Sequence, residues 1–235
     1  MRVSGFVLSV GLVAGPVVLA GCDTQAQEQQ GQTRDLSGFA AIAVSGGINL
    51  KLQQGDDFLV EVTGADADDV ITEVQDGTLV IRRQGRKSVL GWWAGSTAAV
   101  RLPVLESLAA SGGSDVEATG QFSGDKLDVV ASGGSDVEIS VAVTSLNVEA
   151  SGGSDFDLSG TADMAMLRAS GGSDLNGRNF RAREVQLHTS GGSDSIFGVD
   201  ERLSGDASGG SDVTYIGNPG KVEVETSSSS DIRQR

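Results

Sequence analysis

From Val116 onward the chain alternates apolar and polar residues in short runs that stop at one repeated pentapeptide. Before a stop, the apolar residues fall at every second position, as in Leu127, Val129, Ala131, then Leu146, Val148, Ala150, then Val185, Leu187, Thr189. Between them stand Asp128 and Val130, Asn147 and Glu149, Gln186 and His188. After a stop the alternation resumes. Val116 and Ala118, Val137 and Ile139, Phe156 and Leu158, Val213 and Tyr215 are predicted to point inward, with Glu117, Glu138, Asp157 and Thr214 between them. A period of two marks a strand with one buried face, because successive side chains leave opposite sides of the backbone. Two short strands are therefore expected around each stop. A third, less regular segment follows, with a turn near Gly120, Ser140, Gly160, Gly198 or Gly217.

The pentapeptide is SGGSD, starting at Ser111, Ser132, Ser151, Ser170, Ser190 and Ser208, with SSSSD at Ser227 and SGGIN at Ser45. From Ser111 the steps are 21, 19, 19, 20, 18 and 19 residues. A fixed period of this size means stacked units, each covering the open face of its neighbour. The reading is an all-β chain, a parallel β-helix or β-solenoid with coils of about 19 residues and SGGSD at one corner. Paired glycines suit that corner because they adopt positive φ without a Cβ clash, and serine and aspartate side chains can bond backbone groups freed at the bend. An antiparallel sandwich is the weaker alternative, and a hexapeptide solenoid demands a stricter period than the observed steps.

Between Leu52 and Leu105 the pentapeptide is absent, yet FLVEV at Phe58, VITEV at Val70, LVI at Leu79 and AAVRL at Ala98 read as strands. They are expected to form either the opening coils or a small sheet that caps the stack. A cap is needed because an open end presents unpaired backbone groups. At the far end, the serines of the last copy, with Arg233 and Arg235, read as a protected edge.

The N-terminal residues divide differently. Arg2 precedes an apolar run from Phe6 to Ala20 that is short and glycine-containing, which reads as an export signal over residues 1–21 rather than a membrane span. It ends in Leu19-Ala20-Gly21-Cys22, which resembles the lipobox of bacterial lipoproteins, and the resemblance implies cleavage before Cys22 and acylation of its sulfur. Cys22 is the single cysteine, so no intrachain disulfide competes for it. Several acyl chains on one residue give a stable membrane anchor. Residues 22–34 hold too little apolar surface to order themselves and are expected to be a disordered tether, leaving 35–235 as the solenoid.

Composition narrows the partners. Loss of the leader removes Arg2 alone, leaving 16 basic against 32 acidic residues. A field of that sign repels phosphate backbones, so no nucleic-acid partner is expected, whereas cations and basic surfaces are attracted. In-register stacking would place Asp115, Asp136, Asp155, Asp174, Asp194, Asp212 and Asp231 in one column about 5 Å apart. Their repulsion, about 1 kcal/mol per neighbouring pair in water, calls for an offset. Either serine and glycine groups at each carboxylate's own corner supply hydrogen bonds, the favoured reading, or Ca2+ bridges the coils as a candidate cofactor. Trp92 and Trp93, in a glycine-flanked loop, are the other candidate contact, for a sugar ring or a membrane interface, unless they plug an open end of the stack.

Catalytic chemistry finds little support. His188 is the only histidine and falls on an outward position, and no serine is singled out as its nucleophile. Arg178, Arg181 and Arg183 with Glu184 form a local basic cluster, read as a solvated coil edge.

Several residues together carry a family likeness: Gly47-Ile48-Asn49 after an Ala-Val-Ser strand, Leu50-Lys51-Leu52, the DGTL element from Asp76, the Leu102-Pro103 step with Leu105, and the GGSD turns. From about Leu36 to Ile232 the chain resembles the auto-transporter adhesin head GIN domain family. The resemblance implies a right-handed β-helical fold and a bacterial cell-envelope setting, with no defined catalytic residues. The functional expectation is a non-catalytic envelope lipoprotein on the periplasmic or outer surface, held by its lipid anchor and acting in adhesion to a surface glycan or protein. A carbohydrate-binding or carbohydrate-processing β-helix protein and an envelope-stress or assembly protein are the alternatives.

Overall fold

The computed structural model describes residues 31–85, 95–227 and 229–235. The chain is all β, a solenoid of about seven turns with coils near 19 residues, as the repeat spacing predicts.

The first strands are β1 (Gln32–Thr33), β2 (Ala41–Ser45), β3 (Ile48–Gln54), β4 (Leu59–Gly64), β5 (Val70–Gln75), β6 (Thr78–Arg83), β7 (Ser96–Leu102) and β8 (Ser107–Ser111). Their order in space departs from their order in sequence. β2 lies between β6 and β8, and β3 lies between β7 and β9 (Val116–Ser132), all parallel. The chain thus lays down its second coil first, doubles back to build the outermost coil from β6 and β7, and then continues down the stack. β4 and β5 close the outer side by pairing antiparallel with β7 and β6, and β1 pairs antiparallel with β4. The segment between Leu52 and Leu105 therefore supplies both an opening coil and a cap. Antiparallel hairpins suit the cap because a tight turn can connect them, whereas another parallel strand needs a full crossover.

One expected boundary moves. Gln32 and Thr33 pair with Val62 and Glu61, and the Arg34 amide donates to the Val60 carbonyl at 2.8 Å, so the folded unit reaches into the stretch expected to be tether. The contact uses backbone groups, which polar composition does not report.

The body is β9, β10 (Val137–Ser151), β11 (Phe156–Ser170), β12 (Leu175–Ser190) and β13 (Ser195–Ala207), each parallel to the next. Here the expectation of three short strands per coil is corrected. Each coil is one long strand interrupted only at SGGSD, and the anticipated second turn is a local shift of register, as between Glu138 and Ser140 or Asp157 and Ser159. A bulge bends the chain while keeping the ladder paired on both sides, so backbone groups remain satisfied. Gly160 shows why the bend needs glycine. Its φ is +98°, and a Cβ there would stand 1.9 Å from the Val141 carbonyl oxygen of the neighbouring coil.

The inward positions stack into columns. Leu127, Leu146, Ala165 and Val185 follow one another in register, as do Val129, Val148, Leu167 and Leu187, and all are at most 3% exposed. Stacking like on like at one strand spacing gives each side chain apolar neighbours above and below, and fully burying one Val or Leu contributes roughly 1.5–3 kcal/mol. Thr189 takes the place of the alanines Ala131, Ala150 and Ala169 and is buried with them.

The stack ends in β14 (Asp212–Ile216), β15 (Lys221–Thr226) and β16 (Asp231–Gln234), which continue the parallel pairing through Asp212 with Asp231 and Leu203 with Val222.

Candidate functional site

The repeated pentapeptide resolves into an inner and an outer hydrogen-bonded ladder. In each copy the two glycines lie in the left-handed region, for example Gly152 at φ +69° and Gly153 at +74°. Their bend turns the following serine into the core. Ser114, Ser135, Ser154, Ser173, Ser193 and Ser211 are all fully buried. Five of these hydroxyl oxygens, all but that of Ser211, accept an amide hydrogen from the coil before: Ser114 from Ile48 at 3.2 Å, Ser135 from Ser114 at 3.0 Å and Ser154 from Ser135 at 3.2 Å. Ser173 accepts from Ser154 at 3.1 Å and from Gly153 at 3.2 Å, Ser193 from Ser173 at 3.1 Å, and Ser230 from Ser211 at 3.2 Å. Ser193 and Ser211 also donate to the carbonyls of Ser190 and Ser208, one turn back in their own coils. A buried amide that finds no ladder partner at a bend must be satisfied by a side chain, and these serines do that inside the core.

The aspartates form the outer ladder. All seven are exposed, and they are in column, as the pairing of their neighbours shows. Asp155 Oδ1 accepts the Asp174 amide at 3.2 Å, Asp174 Oδ1 the Asp194 amide at 3.3 Å, and Asp194 Oδ1 the Asp212 amide at 3.4 Å. For these three the partners are amides of the next coil, and not, as the sequence suggested, groups at the carboxylate's own corner. Charge-assisted bonds of this kind offset part of the repulsion along the column. Among the described residues, no three His, Cys, Asp or Glu side chains converge as a metal-binding group.

Two residues beyond each aspartate runs a second column, Glu117, Glu138, Asp157, Asn176, Ile196, Thr214 and Arg233. It is acidic only over its first three members. The first half of this face is a shallow groove of about 470 Å³ between paired carboxylate columns, with Lys51 and Asn49 at its head. The second half, about 430 Å³, keeps one carboxylate column and adds Arg178 and Arg233. The sequence pointed to the first column through its repetition. It missed the second as a column, although its members stand two residues past each repeated aspartate.

The basic cluster is neutralised across coils. Arg181 pairs with Asp200, and Arg183 reaches Glu201 at 3.1 Å and Asp163 at 3.8 Å. The hydrogen bond that Arg183 donates to Glu201, followed by the charge of Glu201 and that of Asp163, raises the pKa of Arg183 above the usual value. His188 is partly exposed, with Nδ1 2.6 Å from Asp206 Oδ1 and Nε2 3.2 Å from the Gln186 amide nitrogen. A histidine and a carboxylate in contact are two parts of a nucleophile-activating triad, but the second ring nitrogen here meets an amide, and no hydroxyl stands there to be activated. Cys22, Trp92 and Trp93 lie outside the described residues.

Known proteins repeat this architecture. A family model described as "Putative auto-transporter adhesin, head GIN domain" matches residues 38–219. A crystal structure described as a putative adhesin from Bacteroides fragilis is similar with a TM-score of 0.83 at 22% identity, covering 89% of this chain and 98% of that one. One from Parabacteroides distasonis, with the same description, gives 0.72 at 17% identity over 88% and 97%. Another structure from Parabacteroides distasonis, described as a putative lipid binding protein, gives 0.68 at 16% identity over 89% and 98%. No curated protein matches the chain.

Proposed function

Because the chain belongs to the auto-transporter adhesin head GIN domain family, we propose that it is a non-catalytic binding module of the bacterial cell envelope, exported and held to a membrane by acyl chains on Cys22. Its work is adhesion to a surface glycan or protein through the outward side chains of the stack. One observation carries the reading: outward residues repeat in straight columns at a single strand spacing of about 4.8 Å on a backbone locked by hydrogen bonds at every turn. Such a surface offers many equivalent weak contacts at fixed intervals, which favours a repetitive polymer or an extended partner over a small substrate. The serines of the SGGSD motif and three of its aspartates bond the backbone, while the exposed carboxylates of Asp115 and Asp136 face outward.

Screening the chain from Asp23 onward against arrayed bacterial and host glycans and envelope proteins tests the proposal. Binding is expected, weakened by Asp→Asn changes in the acidic half of the face, with deletion of Trp92 and Trp93 reporting separately on that loop. Absence of binding across both arrays would remove the adhesive reading. Titration with calcium, followed by calorimetry and melting, tests the aspartate column as a cation site. Heat at millimolar calcium that disappears in the Asp→Asn variants supports it, and no heat leaves the column with its amide partners alone.

A further inference from the structure

The two ends of the solenoid are finished differently. At the N-terminal end the outermost parallel coil is covered by antiparallel β4 and β5, and the apolar residues of β5, Val70, Ile71 and Val74, are buried or half-buried. At the C-terminal end nothing among the described residues pairs with the outer edge of β15. Val222 and Val224 of that strand are in register with Leu203 and Gly205, so they sit on the inward face of the coil. Yet Val222 is 43% exposed, because no coil among the described residues covers it. A bare edge with uncovered inward valines is an incomplete core. Natural edges carry charge to discourage pairing, and β15 carries Lys221, Glu223 and Glu225.

The arrangement of those charges is self-complementary. The segment Lys221-Val222-Glu223-Val224-Glu225, laid antiparallel against a copy of itself about Glu223, puts Lys221 opposite Glu225 twice and Val222 opposite Val224 twice. Residues directly opposite in an antiparallel pair point to the same side, so the valines meet on the core face and the charges on the solvent face. The one like-charged meeting is Glu223 with its mate. Each of those carboxylates is already held by its own Lys221 at 2.8 Å and Arg202 at 2.9 Å, which offsets the repulsion. Glu225 has no ion partner among the described residues and would gain one.

The geometry points to a tail-to-tail homodimer of this chain, formed by antiparallel pairing of β15 across a two-fold axis. A two-fold contact is isologous, so one self-complementary strand supplies both halves and the assembly closes at two copies rather than growing into a fibre. The dimer would place two copies of the columned face on one particle, with the β4 and β5 caps at the ends far from the contact. Two linked binding faces raise the apparent affinity for a repetitive partner without any new contact.

Sedimentation equilibrium of the chain from Asp23 onward, which holds every described element and lacks Cys22, tests this directly. A monomer–dimer equilibrium is expected. Val224→Lys should abolish it while leaving the far-ultraviolet spectrum unchanged. Lys221→Glu should weaken the dimer by about tenfold or more, corresponding to roughly 1.4 kcal/mol over the two symmetric pairs, and Lys221→Glu with Glu225→Lys should recover it. The double exchange keeps the number of charges, and the bond of Lys221 to its own Glu223 is absent from single and double variant alike, so recovery reports the pairing of residues 221 and 225 between copies. A monomer at every soluble concentration overturns the inference and assigns the β15 charges to edge protection. So does a dimer indifferent to both Val224→Lys and the charge exchange.

Discussion

Ser173→Ala is the sharpest probe of the inner ladder. Ser173 is fully buried, and its hydroxyl oxygen accepts two amide hydrogens from the preceding coil, Ser154 at 3.1 Å and Gly153 at 3.2 Å. Alanine fits the same space and leaves both amides without an acceptor. An unsatisfied buried donor costs about 1–3 kcal/mol. Because the Gly153 amide is only part-buried, the variant should lose somewhat more than one such cost, about 2–4 kcal/mol. Ser154→Ala removes a single acceptor bond, the one from the Ser135 amide, and should cost less, about 1–3 kcal/mol. At about 2–4 °C per kcal/mol for a chain of this size, the melting temperature falls by roughly 4–16 °C in Ser173→Ala. Urea unfolding gives the free energies, and amide hydrogen exchange gives the location. Exchange at Gly153 and Ser154 should accelerate in Ser173→Ala, and at Ser135 in Ser154→Ala. The reasoning is refuted if Ser173→Ala stays within about 0.5 kcal/mol of the parent, the range of an ordinary surface change, with exchange at both amides unaltered.

The other predictions follow from single contacts. Gly160→Ala should destabilise by at least about 2–3 kcal/mol, since its Cβ would lie 1.9 Å from the Val141 carbonyl oxygen at a φ of +98°, and thermal melting reads the loss. Asp136→Asn should leave stability unchanged or raise it by up to about 0.5 kcal/mol and should flatten its dependence on salt, because it removes one charge from an exposed column that ions screen. Urea midpoints compared between low and high sodium chloride check this. Hydrogen bonds from Lys221 and then Arg202 hold the Glu223 pKa below the usual glutamate range. A group with a depressed folded pKa stabilises above its unfolded value and loses that contribution as pH falls through the folded one. Carbon NMR titration should therefore place the Glu223 midpoint below that of a free glutamate, and Glu223→Gln should remove its share of the acid-side loss of stability.

Most of the fold was legible because the repeat carries both of its periods openly. Alternation in Leu146, Val148 and Ala150 gives the buried face, and the constant step between serines gives the coil. The opening coils were less legible for a topological reason. β6 and β7 stack outside β2 and β3, so neighbours in space come in reversed order along the chain, and no local pattern records that. The candidate face was half legible. Repetition marked the aspartates, and the second column, dividing between Asp157 and Asn176, was readable two residues past them; that the two columns flank one groove is what the sequence did not display.

The two ladders explain why the motif is uniform in the middle of the chain and altered at Ser45, one of its two departures, the other being SSSSD at Ser227. In the coils of Ser154, Ser173 and Ser193 the serine accepts an amide from the coil before it, whereas the aspartate carboxylate accepts one from the coil after it. A coil in the middle must do both, so both residues recur. The coil at Ser45 has no SGGSD turn before it, and its inner position needs only to donate, which the Ile48 amide does toward Ser114. The side chain there is free to be apolar, and isoleucine fills the core at 0% exposure. Asn49 likewise stands where the aspartates stand elsewhere. In place of further serine bonds, the Arg83 side chain binds this first turn, donating to the Gly46 carbonyl at 2.8 Å and the Gly47 carbonyl at 3.3 Å. What reads along the sequence as an imperfect copy is the same turn with its acceptor role removed, because the serine ladder has a direction and starts from this copy.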